Sequence, residues 1–191
     1  AVNSVFTYGP DGKVLIAAIN FPSSWADGSL CARFLHSIRR RIGHYKICVD
    51  QGCPRSGDSW KTLVCPMKER IVRRLHPTMR DYLLRVSNVY MSLRQSSEWG
   101  MHTLQGSFSC GKKRLPSNFR QRRLVLESII LIHNFRTDIV GCNQIKTVFI
   151  LNTRDTSILM GTIALASIIC NQRTLTLIVT IVKTIFSNKN Y

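Results

Sequence analysis

Strand-like segments alternating with amphipathic helical ones predict an α/β domain. Three observations carry that reading: an apolar hairpin opens the chain, three helical repeats of apolar residues follow, and a short apolar strand between the first two ends on an acid. The length of 191 residues suits one ordinary domain. A hydrophobic share of 45% is enough for a sizeable core, so the composition is not that of a disordered tail.

Residues 3–8 read as a strand and residues 13–20 as a second. Between them Gly9-Pro10-Asp11-Gly12 is a turn signal. Phe21-Pro22-Ser23-Ser24 breaks the second strand, and Asp27 is placed to cap a helix over roughly 28–42. Leu30, Phe34, Leu35, Ile38 and Ile42 recur there at helical spacing, and Arg39, Arg40 and Arg41 suit the negative end of the helix dipole. Residues 45–50 form a short strand ending in Asp50, stopped by Gly52 and Pro54.

Residues 55–78 have weak periodicity and read as an insertion or ordered loop. A helix over roughly 79–100 presents Leu83, Leu84, Val86, Val89, Tyr90 and Leu93, with Glu98 near its end. A basic loop spans 106–120. A further helix covers roughly 121–138, with Leu124, Val125, Ile129, Ile132 and Phe135 on its expected core side. The final segment differs in texture. Residues 158–170 and 174–182 are apolar runs, each too short for the roughly 20 residues of a spanning helix. They read as a strand-forming tail or as a loosely packed appendage.

Lysine and arginine total 27 against 10 acids, a formal net charge of +17. Such a field favours polyanions, nucleic acid first and an anionic membrane second. Residues 151–191 carry four basic groups and one acid, so the excess belongs to the preceding part of the chain. Two basic clusters stand out: Lys68, Arg70, Arg73, Arg74, Arg80 and Arg85 around Pro77, and Lys112, Lys113, Arg114, Arg120, Arg122 and Arg123 around Pro116. Groups of this kind neutralise backbone phosphates without reading bases. A solvated basic face is the other reading.

The seven cysteines include no CxxC pair and no zinc-knuckle spacing. Cys31, Cys48 and Cys142 lie in apolar surroundings and read as small buried hydrophobes in a reducing compartment. The five histidines are scattered and support no Ser–His–Asp triad, and phosphate-cradling glycine loops are absent. His133 reads as a hydrogen-bonded structural residue. Asp50, at a strand end, suits either metal binding or the capping of a turn. Glu98 suits either catalysis or an ion pair with Arg94, four residues earlier on the same helix face.

These segments line up with a known pattern. Phe21-Pro-Ser-Ser-Trp-Ala-Asp27-Gly-Ser, Cys48-Val-Asp50-Gln-Gly-Cys-Pro54, Arg94-Gln-Ser-Ser-Glu98-Trp-Gly100 and Leu131-Ile-His133-Asn134-Phe135 resemble, in order and spacing, the DDE superfamily endonuclease domain of Harbinger/PIF-type transposases. The resemblance covers roughly residues 3–149. It implies a partial endonuclease domain over 1–149 and a hydrophobic tail, 150–191, outside the match. It further implies a ribonuclease H-like mixed β-sheet flanked by helices and incomplete at the N-terminus. In that family three acids hold Mg²⁺ or Mn²⁺ for DNA cleavage or strand transfer. Asp50 would be the second acid and Glu98 the third, both catalytic and metal-binding. The first would stand on a strand upstream of Ala1, and Asp11, in a turn, is no substitute.

The expectation is therefore a transposase-derived, metal-dependent nuclease domain, inactive as this fragment, that binds DNA backbone through Lys68, Arg70, Arg73, Arg74, Lys112, Lys113 and Arg114. A separate DNA-recognition protein or an upstream region is the expected further partner, and the nucleus the expected place. A noncatalytic nucleic-acid-binding or partner-binding protein and a basic membrane-associated protein are the alternatives.

Overall fold

A computed structural model describes residues 2–42, 46–51, 53, 63–108, 115–141, 145, 147 and 181–186. It is a mixed α/β architecture, as the alternation of periods predicts. In chain order the elements are β1 (Val2–Tyr8), β2 (Val14–Pro22), α1 (Asp27–Ile42), β3 (Ile47–Cys48), β4 (Leu63–Val64), α2 (Glu69–Val72), α3 (Pro77–Ser107), α4 (Phe119–Val140) and β5 (Ile181–Phe186).

The predicted hairpin is present. β1 and β2 pair antiparallel across the Gly9–Gly12 turn, where Gly9 donates its N–H to the Lys13 carbonyl at 2.8 Å. Gly12 turns there with a φ of 88°, which costs a glycine little. The register shifts twice along the pair, between Asn3 and Val5 and again between Thr7 and Tyr8. Asn20, opposite the first shift, adopts a φ of 70°.

Every residue of β1 is buried, and its two faces meet two different cores. Val5 packs with Leu30, Phe34 and Ile38 of α1 and with Ile47, Val49 and Leu63. Phe6 and Tyr8 pack with Met101 and Leu104 of α3 and Ile129 of α4. The sheet thus lies between α1 on one side and α3 and α4 on the other. α3 comes so close that a Cβ on Gly100 would stand 3.1 Å from the Tyr8 ring.

The last strand changes the reading of the tail. β5 pairs antiparallel with β1 over six positions, Val2↔Phe186 to Thr7↔Ile181, giving the order β2-β1-β5. This part of the tail is therefore a sheet member and not an appendage. The apolar run 158–170 lies outside the described residues.

Two further boundaries differ from expectation. Within 55–78, which reads as a loop, Leu63–Val64 pairs parallel with β3 and Glu69–Val72 forms one helical turn. α3 runs to Ser107, past the expected end near residue 100, because its second half buries Gly100, Met101 and Leu104 against the sheet. Pro77 opens it at a position where a missing N–H costs nothing.

α4 faces the sheet by a different stripe than its most hydrophobic side chains suggest. Leu126, Ile129, His133 and Thr137 are buried, whereas Leu124, Ile132 and Phe135 are more than half exposed. Hydrogen bonds to the hairpin set this rotation. The Asn134 carboxamide accepts from the Val14 N–H at 2.8 Å and donates to the Val14 carbonyl at 2.9 Å. His133 Nε2 meets the Gly12 carbonyl at 3.3 Å, the expected structural role.

Burial holds the His133 imidazole below its ordinary value of 6.5, more strongly than the Gly12 carbonyl raises it. The unfolded chain then binds the extra proton first, so stability falls as pH drops through and below 6.5. Midpoint temperatures measured from pH 7 to pH 5 should decline, and His133→Gln should flatten that decline. An unchanged slope in the variant would remove His133 as the cause.

β1 also buries polar atoms that find no hydrogen-bond partner among the described residues: Asn3 Oδ1, Ser4 Oγ and Thr7 Oγ1. A buried hydroxyl without a partner costs about 1–3 kcal/mol. Thr7→Val keeps the shape and removes the hydroxyl, and should raise the unfolding free energy by about 1 kcal/mol in urea titrations. A loss of stability would mean that the hydroxyl is satisfied.

Candidate functional site

Asp50 lies just beyond β3, two residues past Cys48. The strand pairing extends one residue past β3 through the Val49 N–H, which donates to the Val64 carbonyl at 2.8 Å. The main chain then turns, with Asp50 Oδ1 accepting from the Gln51 N–H at 2.7 Å. Cys53 closes the turn by donating its N–H to the Asp50 carbonyl at 3.2 Å. The capping role proposed for Asp50 is therefore present, and it leaves the side chain 58% exposed.

Glu98 stands well within α3, which carries it onto the same surface. Arg94 joins the two acids. Its Nη1 is 2.9 Å from Glu98 Oε1 and 3.9 Å from Asp50 Oδ1. The Arg94–Glu98 pair has the expected spacing of four residues on one helix. One nitrogen reaching both carboxylates brings together the two acids singled out from the sequence.

The floor behind this cluster is apolar. Cys48 is wholly buried, and its thiol donates to the Tyr90 carbonyl at 3.6 Å. Burial pushes the Cys48 thiol up to about 12, with the neighbouring Cys65 adding to the effect. Burial likewise pushes the Tyr90 hydroxyl up to about 12. Both groups stay protonated at neutral pH, so neither supplies a nucleophile or a general base there.

Cys31 departs from its expected free state. It forms a disulfide with Cys53, three residues after Asp50, and so ties the acid-bearing turn to α1. The physical reason lies in the fold: α1 and the turn both border one core cluster, and their Cα atoms are 5.9 Å apart. The separation of 22 residues gave no spacing signal in the sequence. Cys48 is free and buried, as expected, and Cys142 lies outside the described residues.

Beside the acids runs the first basic cluster. Gln51 Nε2 donates to the Pro66 carbonyl at 3.4 Å, and the Met67 N–H donates to Ser87 Oγ at 3.0 Å. The chain leaving this contact carries Lys68, Arg70, Arg73 and Arg74, of which the three arginines are exposed. Glu69 takes Arg73 at 2.5 Å, an exposed pair of small energetic weight. Arg80 folds back, its Nη2 donating to the Arg73 carbonyl at 2.9 Å, and so serves the α2–α3 corner. Lys112, Lys113 and Arg114 lie outside the described residues.

The other segments of the resemblance hold structure. Phe21 and Trp25 stack with ring centroids 5.5 Å apart, and Arg33 covers Trp25 at 4.6 Å. His133 and Asn134 grip the hairpin, as described above. The sequence marks Asn134 only by its place in the Leu131–Phe135 segment, with no structural role attached.

The resemblance implies Mg²⁺ or Mn²⁺ at Asp50 and Glu98. As placed, the donor set does not fit such an ion. A guanidinium already stands between the two carboxylates, and no group of three or more His, Cys, Asp or Glu side chains able to hold a metal occurs among the described residues. No helix among them is long and apolar enough to cross a membrane. Comparison with protein-family models, curated proteins and solved structures returns no match for this chain.

The disulfide carries a prediction for the site. Closing a loop of this length should stabilise by about 3 kcal/mol through the unfolded chain. The double variant Cys31→Ser/Cys53→Ser should lose about that much in urea unfolding, with faster amide exchange at Gln51 and at position 53. A parent protein whose midpoint ignores reductant would contradict the assignment.

Proposed function

We propose that this chain is a DNA-backbone-binding α/β domain of DDE endonuclease ancestry whose acid pair is held by an internal arginine, so that the chain by itself does not cut DNA. The observation that carries the reading is the meeting of Asp50 and Glu98 at Arg94 beside an exposed basic run. A ribonuclease H-like sheet accounts for the order of hairpin, helix and parallel strand pair that sets them there.

Phosphate binding follows from charge. Arg70, Arg73 and Arg74 offer planar donors to phosphate oxygens, and Lys68 adds a point charge. Such contacts position a duplex without selecting its sequence. Cleavage needs cations that stabilise both the attacking and the leaving oxygen. In the two-acid set described here, Asp50 and Glu98 are occupied by Arg94, and the upstream acid that the resemblance calls for is not part of it.

Binding of a fluorescent duplex should weaken steeply with added salt. Replacing Lys68, Arg70, Arg73 and Arg74 by Gln should reduce the salt slope by about 3–4. Asp50→Asn and Glu98→Gln should leave affinity within about threefold, and the parent should not nick supercoiled DNA with Mg²⁺ or Mn²⁺. Binding that ignores salt, or a quadruple variant with parental affinity, would sink the proposal.

A further inference from the structure

α4 has two faces, and the sheet covers only one. The buried stripe of Leu126, Ile129, His133 and Thr137 meets the hairpin and α3. On the opposite side Leu124, Ser128, Leu131 and Phe135 follow one another at spacings of four, three and four residues. On a helix of 3.6 residues per turn this alternation draws one nearly straight strip, the spacing by which paired helices interlock. Leu124, Leu131 and Phe135 are each more than half exposed, and Ser128 is open between them. Ile132 and Ile139, also more than half exposed, widen the strip along one margin. The strip runs about 23 Å from Leu124 to Ile139. Contiguous exposed apolar surface of this extent marks a place of contact.

Charge along the other margin selects the partner. Arg120, Arg123, Glu127 and Asp138 lie there, two cations and two anions, in a chain whose formal net charge is +17. Glu127 takes Arg123 at 2.7 Å. Asp138 binds Lys13 beside the hairpin turn and keeps 56% of its side chain open. A polyanion gains little from so balanced a face. An open groove separates this margin from β2, with Ala17, Ala18 and Phe21 on its far wall. The helix therefore stands clear enough for a second helix to lie along it.

We propose that α4 is a self-association surface, two copies of this chain pairing antiparallel through Leu124, Ser128, Leu131 and Phe135 about a two-fold axis. In that register Leu124 packs on the partner's Phe135, and Leu131 enters the space left by the partner's Ser128. Arg120 comes beside the partner's Asp138. Each contact occurs twice, as an isologous interface requires. A parallel pair would instead stack Ser128 on its own copy and give Arg120 no acid. The strip thus matches its own reverse in side-chain size and in charge, with an apolar centre and a polar rim. α4 carries neither the basic run of residues 68–74 nor the acid cluster, so this pairing needs no DNA.

Sedimentation velocity on the full chain tests the pairing, without DNA and at physiological salt, which screens repulsion between two basic chains. The parent should be a dimer at micromolar concentration. Leu131→Glu should pair about a hundredfold more weakly, because it sets a charge inside the apolar strip of both copies. Leu124→Glu, nearer the start of the helix, takes its place if Leu131→Glu does not unfold cooperatively. Arg120→Glu and Asp138→Arg should each weaken pairing about fivefold, and the two together should restore it to within about twofold, since the cross-axis pair is exchanged but kept. A monomeric parent would overturn the proposal, including one whose α4 strip is covered by another part of its own chain. So would a dimer that survives Leu131→Glu and Leu124→Glu, or a charge exchange that pairs no better than the single reversals. None of these readings involves DNA, so the two proposals fail separately.

Discussion

The need to cover β1 organises this protein. A seven-residue strand buried along its whole length must be covered on both faces and paired on both edges. β2 and β5 satisfy its backbone, α1 covers the face of Val5, and α3 with α4 covers the face of Phe6 and Tyr8. Each of these demands brings a distant part of the chain to the same strand. The placement of α3 against Tyr8 then decides which residues of that helix remain at the surface, Arg94 and Glu98 among them.

The acid cluster inherits its order from this frame. β3 and α3 are packed elements, and Asp50 follows β3 by two residues only. A side chain on such a support needs little reorganisation to meet its partner. The turn that carries Asp50 is held by its own carboxylate, by the bond from Cys53 to the Asp50 carbonyl, and by the link to α1. Exposed ion pairs contribute little to stability. The Asp50–Arg94–Glu98 cluster is therefore held by the frame more than it holds the frame together.

Local periodicity made part of this legible. The hairpin and α1 follow from alternation, turn residues and helical spacing, and their observed ends fall within two residues of expectation. The Arg94–Glu98 pair follows from a spacing of four. What periodicity could not supply is long-range choice. Leu124, Ile132 and Phe135 outrank Thr137 in hydrophobicity, yet Thr137 is buried, because Asn134 and His133 must reach the hairpin backbone. The Cys31–Cys53 bond and the β1–β5 pairing likewise join residues whose nearness depends on the assembled layers. Val64 was hidden in a polar, proline-containing stretch, since a strand of two residues is too short to show alternation.

β2 lies at the outer margin of the described sheet, and its ladder with β1 is irregular at both ends. Exposed strand margins invite neighbouring molecules to stack on, which is how fibrils begin. Here the positive φ of Asn20 and the offset near Leu15 bend the margin out of the flat geometry that stacking requires. Two small irregularities of a hairpin thus work against edge-to-edge pairing along the described margin of β2.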